Sequence, residues 1–256
     1  MARSNGVALN FRTSGGKSAP PLILAHPLGG NLGVWDALAP ALDEKFHVIR
    51  FDARGHGGSP RVPGPYALDD LGGDVLALMD DLEIARTRFI GLSMGGSIGQ
   101  WLMIHAPSRL EKIVLANTAT HFPDPAGWNG RIRSARENGM SLLAPAVAQR
   151  WLTPAFAAAN PEIALNIVKM LGDCDPNAYA ACCAALRDTD LRDAIRAAPP
   201  CPALVIVGEA DPSTPPALGA ALAESISARQ VRLPTAHLSC VEAEQAFLRA
   251  VIDFLI

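Results

Sequence analysis

The sequence predicts an α/β fold built on a mostly parallel β-sheet, and two patterns carry this prediction. Short, continuously apolar segments alternate with helical segments along most of the 256 residues. This alternation is typical of buried parallel strands joined by right-handed helical crossovers. A stretch from about residue 118 to residue 198 breaks the alternation, because it contains no convincing strand. We interpret this stretch as an all-helical cap inserted between two strands of the sheet.

The elements follow in chain order. Strands are predicted at residues 22–25, 47–51, 88–91, 112–116, 203–207 and 230–233, with an antiparallel edge strand at 7–12. Helices are predicted near 34–43, 68–82, 95–106, 216–226 and 240–255, and four cap helices near 128–138, 141–151, 161–171 and 176–187. This pattern divides the chain into a core of residues 1–117 and 199–256 and a cap of residues 118–198.

Composition excludes several classes of function. Hydrophobic residues make up 49% of the chain and charged residues 18%, which is too apolar for intrinsic disorder. The net charge of −3 offers no general basic surface for nucleic acid or an anionic membrane. No apolar run approaches the length of a spanning helix, and the first residues do not resemble a secretory signal. Five cysteines without a C-x-x-C pair favour reduced thiols, so we expect a cytoplasmic protein.

Ser93 is the predicted nucleophile. It is the central residue of a G-x-S-x-G motif, Gly91-Leu92-Ser93-Met94-Gly95, which follows a strand and precedes a helix. This setting is that of a nucleophile elbow, in which a strained turn exposes the serine oxygen at a helix N-terminus. An overlapping match centred on Ser97 falls inside the helix, so we interpret Ser97 as a packed helical residue.

The base and the acid are predicted in loops that follow later strands. Of six histidines, His237 is favoured because it follows the last strand, where its loop can reach the elbow across the sheet. Asp211 follows the preceding strand and opens a loop through Pro212. Glu209 is the weaker alternative. The order Ser93, Asp211, His237 is the chain order of the α/β-hydrolases.

The loop after the strand at 22–25 is predicted to complete an oxyanion hole. In this fold one N–H group comes from that loop and one from the residue after the nucleophile. These are the N–H groups of Leu28 and Met94, since Pro27 has none. We interpret His26 and His56 as structural residues of the surrounding loops.

Taken together, the motifs resemble the 3-oxoadipate enol-lactonases of the α/β-hydrolase superfamily over nearly the whole chain. The matching segments are residues 25–29, 54–57, 91–96, 98–101, 115–118, 127–132, 150–156, 179–185 and 211–216. The His-Pro-Leu-Gly loop at 26–29 and the cap segments discriminate most, because the other motifs occur across the superfamily. Cys240 stands where we expect Asn in such enzymes. The resemblance implies a sheet of the eight-stranded type with the cap after the sixth strand.

The resemblance also implies the reaction: hydrolysis of an anionic enol-lactone to 3-oxoadipate in the β-ketoadipate pathway of aromatic breakdown, with neither a metal nor an organic cofactor. The substrate carries a carboxylate, so a water-poor pocket should supply a cation. In the cap, Trp128 is expected to cover the lactone ring, and Arg131 or Arg133 to bind the carboxylate. The sequence does not predict an oligomeric state.

Other functions remain open from the sequence. The same triad would serve a general carboxylesterase or a perhydrolase of the cofactor-free haloperoxidase type. A non-catalytic ligand receptor of this fold can also retain all three residues. A dehalogenase is disfavoured, because its mechanism needs a carboxylate where Ser93 stands.

Overall fold

The computed structural model describes residues 7–256, and its centre is a single seven-stranded sheet. The strands are β1 (Phe11–Ser14), β2 (Pro21–Ala25), β3 (His47–Phe51), β4 (Thr87–Leu92), β5 (Leu110–Ala116), β6 (Ala203–Gly208) and β7 (Arg229–Leu233). They pair in the order β1-β3-β2-β4-β5-β6-β7, with β1 antiparallel to β3 and every other pair parallel. The mostly parallel sheet and all six predicted strands are confirmed, but β7 lies at the edge of the sheet and is mostly exposed or half-buried rather than buried on both faces.

The edge of the sheet differs from the prediction. The described residues form seven strands rather than eight, so the cap follows the fifth strand and not the sixth. The edge strand begins at Phe11, opposite Phe51, rather than at residue 7. The loop after β3 explains the shift, because the Asn10 N–H donates to Ser59 Oγ (2.8 Å) and the Asp52 N–H donates to Asn10 O (2.9 Å). These two bonds hold Asn10 against the loop after β3, so the pairing of β1 with β3 begins only at Phe11.

Twelve α-helices occur in residues 7–256. They are α1 (Ala39–Asp43), α2 (Leu68–Asp81), α3 (Met94–His105), α4 (Pro125–Asn138), α5 (Met140–Trp151), α6 (Pro154–Ala159), α7 (Pro161–Gly172), α8 (Pro176–Asp188), α9 (Arg192–Ala197), α10 (Pro216–Ser225), α11 (Ser239–Glu242) and α12 (Glu244–Leu255). The predicted helix at 34–43 is instead a 3-10 turn, Leu32–Trp35, followed by the short α1.

The stretch between β5 and β6 contains helices and no strand, as predicted, apart from an isolated β-bridge between His121 and Asp190, but it has six helices rather than four. The two additional helices, α6 and α9, have six residues each. Prolines occupy the first position of α4, α6, α7 and α8. A helix tolerates proline there, because the first N–H has no partner within the helix. These prolines therefore mark helix starts, whereas Pro145 lies inside α5.

The sheet directs its functional loops to one edge. Because β2 to β7 are parallel, the loops after β2, β4, β6 and β7 all leave from the carboxyl ends of neighbouring strands. Those loops contain Leu28, Ser93, Asp211 and His237. Among the described residues, no helix is long and apolar enough to span a membrane.

Candidate active site

Ser93 lies at the sharp turn between β4 and α3. Its backbone has φ 56° and ψ −114°, in the left-handed half of conformational space that non-glycine residues rarely adopt. Two bonds to the end of β5 hold the turn: the Ser93 N–H donates to Ala116 O (2.9 Å), and the Thr118 hydroxyl donates to Ser93 O (2.8 Å). Ser93 is buried apart from its contact with a cavity that it helps to line.

The two glycines of the motif are required by close approach of the backbone. A Cβ atom on Gly91 would lie 2.1 Å from the carbonyl oxygen of Gly95, and a Cβ on Gly95 would lie 2.1 Å from that of Ala25. Both separations are far below any van der Waals contact. The G-x-S-x-G spacing therefore lets α3 begin directly against β2 and β4, with Ser93 at its N-terminal end.

His237 and Asp211 form a buried hydrogen-bonded pair, with His237 Nδ1 2.7 Å from Asp211 Oδ2. Asp211 Oδ1 also accepts the N–H groups of Ser213 (2.7 Å) and Thr214 (3.0 Å). Burial alone would raise the pKa of Asp211. The charge of His237 and the hydrogen bonds from His237, Thr214 and Asn117 outweigh that effect and lower the pKa to about 2. Asp211 is thus ionised at neutral pH and favours a proton on His237 Nδ1.

Asn117, at the end of β5, joins the acid loop to the histidine loop. Its Nδ2 donates to Asp211 Oδ2 (3.0 Å) and to the carbonyl oxygen of Ala236 (3.2 Å). Its Oδ1 accepts the hydroxyl of Ser239 (2.5 Å). The Asn117 amide therefore links the two loops.

Leu28 and Met94 are the residues predicted to form the oxyanion hole. Leu28 lines the same cavity as Ser93, and Met94 is the first residue of α3. Across residues 7–256, neither backbone N–H donates a hydrogen bond to another protein group. Buried N–H groups without a partner are uncommon, so these two are available to a developing negative charge.

Two buried histidines support the Leu28 loop. His56 Nε2 accepts the N–H of Gly29 (3.0 Å), and His26 Nε2 accepts the N–H of Ala53 (2.9 Å). Burial, together with the nearby His26, lowers the pKa of His56 to about 3, and burial also lowers the pKa of His26. Both rings are therefore neutral at pH 7, which their acceptor roles require. This arrangement agrees with the structural roles predicted for them.

The cap closes a cavity over Ser93 and His237. The cap side chains on its wall are Phe122, Trp128, Arg131, Val147, Arg150, Trp151, Tyr179 and Leu186. A second, more open chamber shares five lining residues with the first: Phe122, Trp128, Arg131, Arg150 and Ser213. These residues therefore lie between the inner cavity and the outer chamber.

Arg150 is a cavity residue that the sequence reasoning missed. Its guanidinium donates to the carbonyl oxygen of Pro212 (2.7 Å), beside Asp211. Burial and the charge of Arg131 lower the pKa of Arg150. The Arg131 guanidinium lies 4.9 Å from the ring centre of Trp128. In the described part of the chain neither arginine forms an ion pair, although the charges of Asp211 and Asp124 partly oppose the lowering of the Arg150 pKa. The cavity wall therefore carries two positive charges that are not directly ion-paired.

Other predicted residues lie away from this cavity. Arg133 is exposed on α4 and does not line the cavity. Two helical positions correspond to about 200° of rotation, so Arg133 faces away when Arg131 faces inward. Ser97 is fully buried inside α3, and Glu209 is exposed. All five cysteines are free thiols, and four of them, including Cys240, are buried.

Comparisons with known proteins agree with this fold. The alpha/beta hydrolase fold family matches residues 20–160. The chain is 42% identical to 3-oxoadipate enol-lactonase 2 of Acinetobacter baylyi, over 96% of this chain and 92% of that protein. The solved enol-lactonase of Burkholderia xenovorans LB400 is 40% identical with a TM-score of 0.96, covering 99% of this chain and 98% of that one. A malate-bound thermophilic esterase of Thermogutta terrifontis is 26% identical, with a TM-score of 0.92 and coverages of 99% and 95%. The chain belongs to the α/β-hydrolase superfamily and, within it, to the enol-lactonase family of hydrolases.

Proposed function

We propose that this protein hydrolyses 3-oxoadipate enol-lactone to 3-oxoadipate, a step in the β-ketoadipate pathway, by a Ser93–His237–Asp211 triad. One observation carries the choice of substrate: within residues 7–256, Arg131 and Arg150 form no direct ion pair, and they lie on the wall that also contains Ser93 and His237. A buried or half-buried cation is costly unless an anion pairs with it. The carboxylate of the enol-lactone supplies that anion. The 42% identity to an enol-lactonase supports the same substrate.

In the first half of the proposed reaction, His237 Nε2 takes the Ser93 hydroxyl proton as Ser93 Oγ attacks the lactone carbonyl. The developing oxyanion is bound by the N–H groups of Leu28 and Met94. Asp211 keeps the His237 Nδ1 proton in place and stabilises the charged ring. The bond between the carbonyl carbon and the ring oxygen then breaks, and the enol oxygen receives the proton from His237.

In the second half, the acyl-enzyme is hydrolysed. The released enol remains tethered to the acyl group, and its conversion to the ketone opposes ring closure. His237 then removes a proton from water, which attacks the acyl carbon, and Ser93 leaves with that proton. The core supplies all groups that move protons, whereas the cap supplies Trp128, Arg131 and Arg150 for recognition of the substrate.

The decisive experiment compares an anionic substrate with a neutral one in matched arginine variants. Arg131→Ala and Arg150→Ala should each lower kcat/KM for the enol-lactone by about 10- to 100-fold, the value of one charged hydrogen bond. Turnover of p-nitrophenyl acetate should change far less. Arg133→Ala is the matched control, because Arg133 is an exposed arginine of the same helix as Arg131.

Two outcomes would contradict the proposal. Equal losses on charged and neutral substrates would show that the arginines do not bind the carboxylate. Wild-type protein that hydrolyses simple esters but not the enol-lactone would favour a general carboxylesterase, and the esterase likeness at 26% identity makes that the next function to test. A perhydrolase would be recognised by hydrogen peroxide-dependent formation of a peracid.

A further inference from the structure

Glu242, the last residue of α11, joins the loop of His237 to the cap. Its Oε1 accepts the N–H of Ala236 (2.7 Å), the residue directly before His237. Its Oε2 accepts both the N–H (3.0 Å) and the hydroxyl (2.7 Å) of Thr153, which caps the N-terminus of α6. One carboxylate thus bridges the two parts of the chain that enclose the cavity.

A second contact holds the other side of His237. The Leu238 N–H donates to the carbonyl oxygen of Trp151 (2.9 Å), at the end of α5. The Trp151 ring lies 6.4 Å from the His237 ring, measured between centres, and lines the cavity. The backbone N–H groups of the residues on either side of His237, Ala236 and Leu238, are therefore attached to the turn at residues 151–153, the first through Glu242 and the second directly.

The same turn adjoins the residues that face the substrate. Arg150 and Trp151 form the end of α5 and part of the cavity wall. If a bound ligand displaced this turn, the displacement would be transmitted to the backbone on either side of His237 and would shift the imidazole ring. The Glu242 carboxylate forms no ion pair with another described residue. All three hydrogen bonds that it accepts come from Ala236 and Thr153, which form the junction between the histidine loop and the cap.

We propose that Glu242 is a positioning residue that couples the cap to the catalytic histidine, an inference that rests on the proposed role of His237 as the base. Glutamine is nearly the same size but has only one acceptor oxygen. Its NH₂ group would face donors at either Ala236 or Thr153, so one side of the bridge would open. Asn117 and Asp211 would still hold the histidine loop, so the fold should survive.

The test compares Glu242→Gln with Glu244→Gln, an exposed glutamate two residues on. Steady-state rates are measured with the enol-lactone, and the covalent labelling of Ser93 by diisopropyl fluorophosphate is followed by mass spectrometry. In labelling, Ser93 Oγ bonds to phosphorus, fluoride leaves and the hydroxyl proton passes to His237. Glu242→Gln should lower both kcat and the labelling rate about tenfold or more, as expected for a lost charged hydrogen bond. KM should change less than twofold, and Glu244→Gln should behave as wild type.

Thr153→Val provides a second readout, because it removes the hydroxyl donor and keeps the N–H. It should lower the labelling rate in the wild-type background and have little further effect when Glu242→Gln is present. Labelling rates equal in Glu242→Gln and Glu244→Gln would overturn the inference, as would a loss confined to KM. Failure of the proposed function looks different: wild-type protein would then be labelled at Ser93 without hydrolysing the lactone.

Discussion

Replacing Asp211 by Asn exchanges one oxygen for an NH₂ group and is expected to inactivate the protein without unfolding it. Asp211 Oδ1 accepts two backbone N–H groups, whereas Oδ2 accepts His237 Nδ1, the Thr214 hydroxyl and the Asn117 amide. An asparagine at 211 must place its NH₂ on one of these two sides. Each orientation has a different cost.

With the NH₂ on the Oδ1 side, it would meet the N–H groups of Ser213 and Thr214 and leave both buried donors unpaired. The cost is about 1–3 kcal/mol for each. With the NH₂ on the Oδ2 side, those two bonds are kept and the NH₂ donates to His237 Nδ1. Only one amide hydrogen of Asn117 then loses its acceptor, because the Thr214 hydroxyl can rotate. The second orientation is therefore favoured, and it forces the His237 proton onto Nε2, where it cannot accept the Ser93 proton. We expect turnover to fall about 10⁴-fold, as it does in the best-studied serine triad.

The assay is single-turnover hydrolysis of the enol-lactone by Asp211→Asn, with Glu209→Gln as the control. Glu209 is exposed and lies two residues before Asp211, so its variant should keep wild-type rates. Thermal unfolding shows whether Asp211→Asn remains folded. A folded Asp211→Asn protein with more than a tenth of the wild-type rate would refute the tautomer argument. Loss of activity in Glu209→Gln instead would transfer the acid role to Glu209.

Three further predictions follow from the same geometry. Ser93→Ala should remove nearly all hydrolysis and labelling while Ser97→Ala keeps most of its activity, and the reverse result would refute the elbow assignment. Gly95→Ala should abolish soluble expression because its Cβ would lie 2.1 Å from a carbonyl oxygen, whereas Gly130→Ala, with open space around it, should raise Tm slightly. The pKa of His56 is about 3 in the folded protein and about 6.5 in the unfolded chain, so between these pH values the unfolded chain binds the proton more tightly. The free energy of unfolding therefore falls as the pH is lowered from 6.5 towards 3, by up to about 1.4 kcal/mol per pH unit. Denaturant titrations at pH 7 and pH 5 should therefore show a smaller loss for His56→Gln than for wild type, and parallel losses would contradict the assignment.

The sheet was predictable because its determinants are local. Strands buried on both faces are mostly apolar, and the segments that became β2 to β6 follow this pattern, whereas β7 is a more exposed edge strand. The edge strand was misplaced, because its start depends on bonds between Asn10 and the loop after β3, forty and more residues away. The short helices α6 and α9 were missed since six residues give too little periodicity to recognise.

The proposed catalytic residues were also accessible from the sequence, because each follows a strand of a parallel sheet. Chain order and strand position predict that Ser93, Asp211 and His237 lie at one edge of the sheet. In the structure, Ser93 and His237 line the same cavity. The cap residues follow no such rule. Arg150 is the next-to-last residue of α5, and only the packing of that helix over the acid loop reveals that it faces the cavity. Arg133 was proposed from proximity in sequence, and the turn of α4 directs it to solvent.

This difference reflects how the two parts of the chain are constrained. In the core, the elbow needs Gly91 and Gly95 because any side chain there would collide with the backbone. The geometry of the elbow therefore requires a motif that can be recognised in the sequence. In the cap, a helix can present an arginine to the cavity from many positions, provided that the whole cap is held at the right distance from the triad. The contacts that hold it, from Trp151 to Leu238 and from Thr153 to Glu242, are formed by common residue types without a motif. Specificity in this protein is therefore expected to change by substitutions at that junction as well as by substitutions in the cavity wall.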